Sequence, residues 1–563
     1  MGRKNSYDVL VVGAGMTGSW AAKEFTEKGY ETLVLERGRE VKHIEDYTTT
    51  NKAPWEYKHR NYDSKKVKEE QFMQSTKYNF DASSEQFFVN DKDHPIESPK
   101  DKPVRWFRGY QSGGRSLLWG RGTYRMSDHD FKRNIQDGNG TDWPIRYRDI
   151  APWYDYIEEY IGVSGTNENL DHYPDGKYLP PFEMNVVEKA VKTKLEDHYT
   201  DRILVPNRVA HLTQIKPGQF FGRSACQTRD MCHTGCPFGG YFSSNSSTLP
   251  AAKRTGKLTL VSNTIIDTLI YDEKNNKVIG VTVIDSITKE KSEYYARVIF
   301  LCASTLATTG ILMRSKNATF PNGLANSSGV LGHYLMDHHK NVGGSGIMEG
   351  FENKYYKGFR PAGMVIPAFR NIKNQEKDFL RSYGVWGGAS RVGINPDQIG
   401  IGKEFKEKLT KPGVWKMGLY AYGECIPYYE NKVEMDELKK DKWGFPILKI
   451  TADFKENEMK MRKDMKEQVY EMLEVMGLKD IKVHVGSHIM GDSTHLVGTA
   501  RMGKDPKTSV LNSFNQSHDI PNLFVTDGSC MPSISYKSPS LTFMALTARA
   551  CDYAAKKMEK REF

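Results

Sequence analysis

Three glycines and one acid near the start of the chain have the residue types and the spacing of a nucleotide site. Gly13, Gly15 and Gly18 form the pattern G-x-G-x-x-G, and Glu36 follows about 20 residues later. Glycines at these positions make a tight turn and let backbone N–H groups reach a pyrophosphate at the start of a helix. The acid can accept hydrogen bonds from a ribose hydroxyl. These residues therefore predict a dinucleotide site.

The elements predicted around these residues would hold them in place. Residues 7–12 form an apolar, β-prone run, a helical stretch follows the glycines as far as Gly29, and residues 31–35 form a second strand that ends at Glu36. This order is typical of a βαβ nucleotide-binding unit. Taken alone, the segment also fits an NAD(P)-dependent dehydrogenase or a glycine-rich turn in another α/β unit.

Three clustered cysteines are the second group that could do chemistry. Cys226, Cys232 and Cys236 have the spacing C-x5-C-x3-C, and Pro237 follows. Three thiolates on one tight loop can hold an iron–sulfur cluster, and a trailing proline is common in such loops. A set of three ligands favours a three-iron cluster or a four-iron cluster with an open position. A purely structural loop and a zinc site completed by His233 remain alternatives.

Two motifs near the C-terminus identify a family. Residues 495–503 read HLVGTARMG, and residues 521–532 read PNLFVTDGSCMP. Together with the N-terminal glycines and the glycine-rich segment 113–120, they resemble the glucose–methanol–choline (GMC) oxidoreductases, in particular the sugar-oxidising branch. Members of this family bind FAD and oxidise an alcohol to a carbonyl compound.

The resemblance implies a catalytic pair. His495 stands at the position of the family's base, and an imidazole suits this task because its pKa lies near ambient pH. Ser538 stands where the family has Asn or His, and a serine hydroxyl reaches less far. Ser538 followed by Pro539 also reads as a helix N-cap. Whether a water, Lys537 or Tyr536 replaces the family side chain stays open.

The resemblance also implies which residues bind FAD. Some members of the family link FAD covalently through a histidine in the segment near Trp119. No histidine lies close to Trp119 in this chain, so we expect non-covalent FAD. The expected cofactor-binding residues are Gly13, Gly15, Gly18, Glu36, Arg37, Gly113, Gly114, Ser116, Trp119, Gly120, Ile265, Ala303, Asp527, Gly528 and Thr542.

The expected fold class is α/β. A Rossmann-like FAD-binding domain would be assembled from both chain ends, and an α+β substrate domain with an antiparallel sheet would be inserted between them. The predicted ranges are 1–150, 210–330 and 480–563 for the FAD domain, 151–209 and 331–479 for the substrate domain, and 40–104 for an extended insertion in the FAD domain.

The resemblance implies an FAD-dependent dehydrogenase that oxidises a secondary hydroxyl of a sugar or glycoside, with a 3-keto product favoured. The cysteine spacing resembles the cluster loop of some bacterial sugar dehydrogenase large subunits, which implies a [3Fe–4S] cluster, a small subunit and a cytochrome-type acceptor. A sugar oxidase that uses O2 is the first alternative. A flavin-binding subunit with weak catalysis is the second, because of Ser538.

Composition excludes several other classes. The 563-residue chain has 80 basic and 70 acidic residues, a net charge of +10. This modest excess favours a solvated surface over an acidic protein partner, and no arginine–aromatic interleaving indicates nucleic acid. No run of 18 apolar residues predicts a membrane span. Residues 1–6 lack the apolar part of a signal peptide, so we expect a cytoplasmic location, or a periplasmic one through co-export with a partner.

Overall fold

The computed structural model describes residues 5–355, 361, 363–392 and 400–563. In this part the helices are α1 Met16–Glu27, α2 Lys65–Glu70, α3 Asp128–Asp137, α4 Tyr147–Ile161, α5 Val186–His198, α6 Thr248–Arg254, α7 Thr305–Arg314, α8 Lys403–Thr410, α9 Glu456–Val475 and α10 Ser540–Glu559. The strands are β1 Ser6–Val12, β2 Thr32–Leu35, β3 Ile96–Glu97, β4 Val205–Pro206, β5 Leu258–Val261, β6 Thr264–Asp272, β7 Lys277–Asp285, β8 Lys291–Leu301, β9 His339–Met348, β10 Met364–Ile366, β11 Tyr383–Arg391, β12 Trp415–Gly423, β13 Lys432–Lys440, β14 Pro446–Thr451, β15 Lys479–Val485 and β16 Leu523–Val525. None of the described helices combines the length and the apolar character that crossing a bilayer requires.

A mainly parallel sheet joins the two ends of the chain. Its strand order is β5-β2-β1-β8-β7-β6, and β16 pairs with β8. The first half of β8 pairs antiparallel with β7, whereas its second half pairs parallel with β16. Helices α1 and α10 pack against each other and cover one face, where Val9, Val11, Phe25 and Phe300 are buried. The α/β fold class with a Rossmann-like unit is confirmed.

The β1–α1 turn explains the spacing of its glycines. Gly13 has φ of +97°, and a Cβ there would lie 2.7 Å from the carbonyl oxygen of Cys302. A Cβ on Gly18 would overlap the carbonyl oxygen of Gly13, so α1 packs directly on the turn. A Cβ on Gly15 would meet no protein atom within 4 Å. Two of the glycines therefore serve the packing of the turn, and Gly15 leaves space open in front of it.

An antiparallel sheet forms the second layer of the molecule. Its strand order is β15-β9-β12-β11-β10-β4, and it confirms the predicted antiparallel sheet. One face is covered by α9, whose Met461, Met465 and Met472 are buried with Val342 and Leu419 of the sheet. Because side chains alternate along a strand, the other face is free to carry polar and aromatic groups. A small sheet, β13-β14-β3, packs beside the mainly parallel sheet.

The predicted domain boundaries at 150/151 and 479/480 do not coincide with the ends of elements. Both cut through an element: α4 continues to Ile161 and packs on α10, and β15 continues to Val485 and pairs with β9. Tyr154 and Ile157 of α4 belong to the core of the parallel sheet. Composition does not reveal these pairings, because they are decided by packing. Part of the predicted substrate domain, residues 356–360, 362 and 393–399, lies outside the described residues.

Replacing Gly18 and Gly15 separately by alanine should separate folding from ligand binding. Gly18→Ala forces a methyl group onto the Gly13 carbonyl, so we expect the free energy of unfolding of the apoprotein to fall by about 1–3 kcal/mol. Gly15→Ala should leave this stability unchanged and weaken dinucleotide binding. Thermal unfolding of the apoprotein and titration with the dinucleotide measure both effects. An equal loss of stability in the two variants would contradict this division of roles.

Candidate active site

One cavity of about 510 Å³ lies where the two larger sheets meet. Its walls include the carboxyl ends of β1, β2 and β8, the end of β16 at Asp527, and Trp386 and Tyr422 from the antiparallel sheet. In open α/β sheets, ligands bind outside the carboxyl ends of the strands. The cavity thus occupies the place where a dinucleotide is expected and extends from there to the second sheet.

Most of the residues predicted to act on the cofactor or in catalysis line this cavity. They are Gly13, Gly15, Glu36, Arg37, Gly114, Ser116, Trp119, Gly120, Ile265, Ala303, Asp527, Gly528, His495 and Ser538.

Three predicted cofactor residues do not line it. Gly18 packs α1 on the turn, and a Cβ on Gly113 would overlap the side chain of Asn245. Thr542 is buried, with its hydroxyl 2.9 Å from that of Tyr154. These residues shape the protein behind the cavity wall.

Glu36 lies buried at the end of β2. Its Oε2 accepts a hydrogen bond from the Ala14 N–H at 2.8 Å, and its Oε1 accepts one from the Gly38 N–H at 2.9 Å. Burial raises the pKa of this carboxyl to about 7. The backbone bonds fix its orientation, and each carboxylate oxygen retains lone pairs for a further donor such as a ribose hydroxyl.

The two glycine-rich segments form one wall. The Gly113 N–H donates to the Ala14 carbonyl at 3.0 Å, and a Cβ on Gly114 would lie 3.2 Å from the Cα of Gly15. Ser116 Oγ donates to the Gly113 carbonyl at 2.6 Å. Close approach of the two backbones leaves the wall without bulky side chains at Gly15. This open cradle, next to the acceptor of Glu36, fits a dinucleotide.

On the other side of the cavity, Asp527 accepts hydrogen bonds from two segments of the chain. Its Oδ1 accepts from the Ser529 N–H and hydroxyl, at 3.0 and 2.6 Å. Its Oδ2 accepts from the Ser304 N–H at 3.0 Å and from the Thr308 hydroxyl. Ser304 has φ of +86°, an unusual value for a residue with a side chain. Asp527 therefore holds the strained loop that presents Ala303 to the cavity, and burial raises its pKa.

A pair of histidines fixes the protonation of His495. His338 Nε2 bonds to the Ser535 carbonyl, which only accepts, so Nε2 carries the proton. Burial lowers the pKa of His338 to about 4, so the ring is neutral and its Nδ1 is an acceptor. His338 Nδ1 lies 2.8 Å from His495 Nδ1, which must therefore be the donor. The Nε2 lone pair of neutral His495 is left for a proton from another molecule.

Asp337 positions the loop that carries His495. This buried carboxylate accepts from the N–H groups of Gly491, Ser493 and His495 at 2.9, 3.1 and 3.0 Å, and from the Ser493 hydroxyl. Sequence reasoning missed both Asp337 and His338. The Asp-His pair stands directly before a strand, and no spacing in the sequence links it to residues more than 150 positions away.

Ser538 reaches the cavity but does not cap the last helix. Helix α10 begins at Ser540, Pro539 stands in the cap position, and no side-chain cap hydrogen bond forms. The N-cap interpretation of Ser538 is therefore wrong. Of the two candidate substitutes, Lys537 is buried away from the cavity and binds Asp130 Oδ2 at 2.6 Å. Tyr536 lines the cavity.

The described residues of the cysteine loop do not show the arrangement of a metal site. Among the described residues, no three His, Cys, Asp or Glu side chains are arranged to hold a metal ion. Burial raises the pKa of the Cys226 and Cys232 thiols, and the neighbouring thiols of the loop add to this effect. His233 Nδ1 instead lies 3.2 Å from Asn79 Nδ2. The predicted ligation by Cys226, Cys232 and Cys236, as a [3Fe–4S] cluster or with zinc, is not supported, because no group of such side chains among the described residues has the arrangement of a metal site.

Family models for GMC oxidoreductases match residues 222–340 and 427–547. The chain is 26% identical to 2-methyl-1,2-propanediol dehydrogenase of Mycolicibacterium austroafricanum, over 98% of this chain and 95% of the relative. It is 23% identical to the fructose dehydrogenase large subunit of Gluconobacter japonicus, over 97% of each chain.

A solved structure shares the fold. The crystal structure of pyridoxine 4-oxidase from Mesorbium loti superposes with a TM-score of 0.61 at 17% identity, over 98% of this chain and 99% of that one. The matching family models, the relatives aligned over nearly their whole length and the cavity geometry agree. The chain carries the N- and C-terminal domains of the GMC oxidoreductases and is an FAD-dependent enzyme that acts on CH–OH groups.

Proposed function

We propose that this enzyme is a dehydrogenase that oxidises a secondary hydroxyl of a sugar or related polyol, with His495 as the base. The main observation that supports this proposal is the 2.8 Å contact between His338 Nδ1 and His495 Nδ1, which leaves His495 Nε2 as an acceptor. Aromatic walls formed by Trp386 and Tyr422 suit the apolar faces of a sugar ring. The relative named as a fructose dehydrogenase subunit supports this substrate class.

Each residue has a defined task in the proposed reaction. Non-covalent FAD, held along Gly15, Gly114, Glu36 and the Asp527 loop, would supply the acceptor for the hydride that leaves the alcohol carbon with two electrons. His495 Nε2 takes the hydroxyl proton, and the carbon–oxygen bond becomes a carbonyl. Ser538 offers a short hydroxyl contact to the substrate oxygen. The His338 bond keeps the His495 ring oriented throughout.

The electron acceptor is proposed to be a protein or small molecule other than oxygen, and the product to be the 3-keto sugar. Both relatives described above are named dehydrogenases, which favours the first part. A panel of sugars and glycosides assayed with an artificial acceptor, with the oxidised carbon located by NMR, tests both parts. Stoichiometric hydrogen peroxide would establish an oxidase instead, and release of flavin by acid precipitation would verify non-covalent binding.

Replacement of His495 should slow the chemical step. For His495→Ala we expect kcat to fall about 10²- to 10⁴-fold with FAD content unchanged, because the general base is lost. Stopped-flow measurement of flavin reduction isolates this step. His484→Ala is a matched control, because His484 lies exposed on β15. Comparable loss of activity in the control, or normal reduction in His495→Ala, would refute the assignment.

On the acid side, kcat/KM should begin to decline only at an unusually low pH. Burial, followed by His338 and then by the positive charges of Lys77, Arg115 and Lys340, holds the pKa of His495 well below its ordinary value of 6.5. The neutral base therefore persists as the pH falls, and kcat/KM should decline only well below pH 6.5. The pH dependence of kcat/KM reports the groups of the free enzyme. A decline of kcat/KM centred at or above pH 6.5 would therefore argue against His495 as the titrating base.

Removal of His338 should affect kcat more than KM. In His338→Leu the Nδ1–H of His495 loses its acceptor, and we expect kcat to fall about 10- to 100-fold, as for a lost buried hydrogen bond of 1.5–3 kcal/mol. His338→Gln carries a carbonyl oxygen and should recover part of the loss. Steady-state kinetics and the pH profile of both variants, at matched FAD content, test this positioning role. Equal activity of the Leu and Gln variants would count against it.

The departure from the family at Ser538 also gives a testable prediction. Ser538→Ala should lower kcat/KM by at most about tenfold, the value of one neutral hydrogen bond. Ser538→Asn should raise it, because the longer amide restores the reach of the family side chain. A loss in Ser538→Asn as large as in Ser538→Ala would show that the cavity is shaped for serine.

A further inference from the structure

Three cationic side chains converge on the end of the cavity that holds His495. Lys77 comes from the insertion after β2, Arg115 from the second glycine-rich segment, and Lys340 from β9. All three line the cavity together with His495, and all three depress the pKa of His495. Residues from three separate parts of the chain thus place positive charge around the reacting site.

Among the described residues none of these cations forms an ion pair with a carboxylate, and the charges of Asp337 and Asp492 nearby offset theirs only in part. Lys77 Nζ donates to the backbone carbonyl of Asp492 at 3.2 Å, and Arg115 Nη1 donates to that of Thr494 at 3.1 Å. In the part of the chain that the structure describes, the Lys340 ammonium makes neither a hydrogen bond nor an ion pair. Free donors therefore remain on all three groups.

The two nearest acids already have other partners. Asp492 Oδ1 pairs with Arg105, and its Oδ2 accepts from Asn341 Nδ2 at 3.0 Å. Both carboxylate oxygens of Asp337 already accept hydrogen bonds from the 491–495 loop. Burial also lowers the pKa of Lys77 and of Lys340, so holding charge here is costly without an anion.

We infer that Lys77, Arg115 and Lys340 form a subsite for an anionic substituent of the substrate, a carboxylate or a phosphate carried by a sugar. The inference rests on the proposed function, which it narrows to sugar acids or sugar phosphates. Ammonium and guanidinium donors bind these oxyanions through charge-assisted hydrogen bonds. The position of the subsite beside His495 places the anion near the carbon that is oxidised.

A matched set of substrates tests the inference on the FAD-loaded enzyme. Glucose, gluconate and glucose 6-phosphate have related skeletons and differ in the absence, position and kind of the anion. We expect kcat/KM for at least one anionic compound to exceed that for glucose at least tenfold, and the better of the two identifies the anion. A higher value for glucose than for both anionic compounds would overturn the inference.

Variants of Lys340 test whether this side chain causes the preference for anionic substrates. Lys340→Met should lower kcat/KM for the preferred anionic substrate about 10- to 100-fold more than it lowers kcat/KM for glucose, and Lys340→Arg should retain the preference. Lys416→Met on the neighbouring strand β12 is the control, because Lys416 is exposed. An equal fall for neutral and anionic substrates would show that Lys340 serves the reaction centre and not an anion subsite.

A binding measurement separates this inference from the proposed function. The flavin absorbance is titrated with gluconate and with inorganic phosphate, in wild-type enzyme and in Lys340→Met. If no sugar is oxidised but the anions still bind to the wild type more tightly than to the variant, the proposed function fails and the subsite stands. If the anions bind equally to both proteins or to neither, the subsite is refuted.

Discussion

The buried carboxylate of Asp337 is the interaction on which the active site depends. It lies just before β9 of the antiparallel sheet, and it accepts hydrogen bonds from three backbone N–H groups and one hydroxyl of the 491–495 loop. A buried carboxylate is tolerated when its lone pairs are filled, and removing its partners would cost several kcal/mol. Through this one group, the sheet of the substrate side fixes the loop that presents His495 to the cofactor side.

The segment 535–538 completes this arrangement from the other direction. The Ser535 carbonyl accepts from His338, the Ser535 hydroxyl binds Asp130, and Asp130 also holds the Lys537 ammonium. Burial opposes the charge of Lys537, whereas its pairing with Asp130 favours it. Four successive residues thus alternate between anchoring the backbone and facing the cavity. The tautomer of the histidine pair and the position of Ser538 are consequences of the same anchored backbone.

The sequence predicted what is encoded locally. The βαβ unit with Gly13, Gly18 and Glu36 was predictable because strand, turn and helix signals lie within about 30 residues. His495 carried a motif signal. His338 and Asp337 had none, because their partners are brought to them only by the folded chain. The cysteine spacing predicted a cluster that the described residues do not support, because spacing along a loop does not determine the three-dimensional arrangement that a metal needs.

The electrostatics of the site involve a balance between two effects. Burial and nearby cations lower the pKa of His495, which makes it a weaker base than an exposed imidazole. The same cations favour negative charge on an oxygen placed beside the base. Fixed charges around a buried group such as His495 act more strongly than in solution. In the proposed reaction, a weak base suffices when its surroundings also stabilise the oxygen that gives up the proton. Lys77, Arg115 and Lys340 thus couple the basicity of His495 to the charge of whatever occupies the cavity.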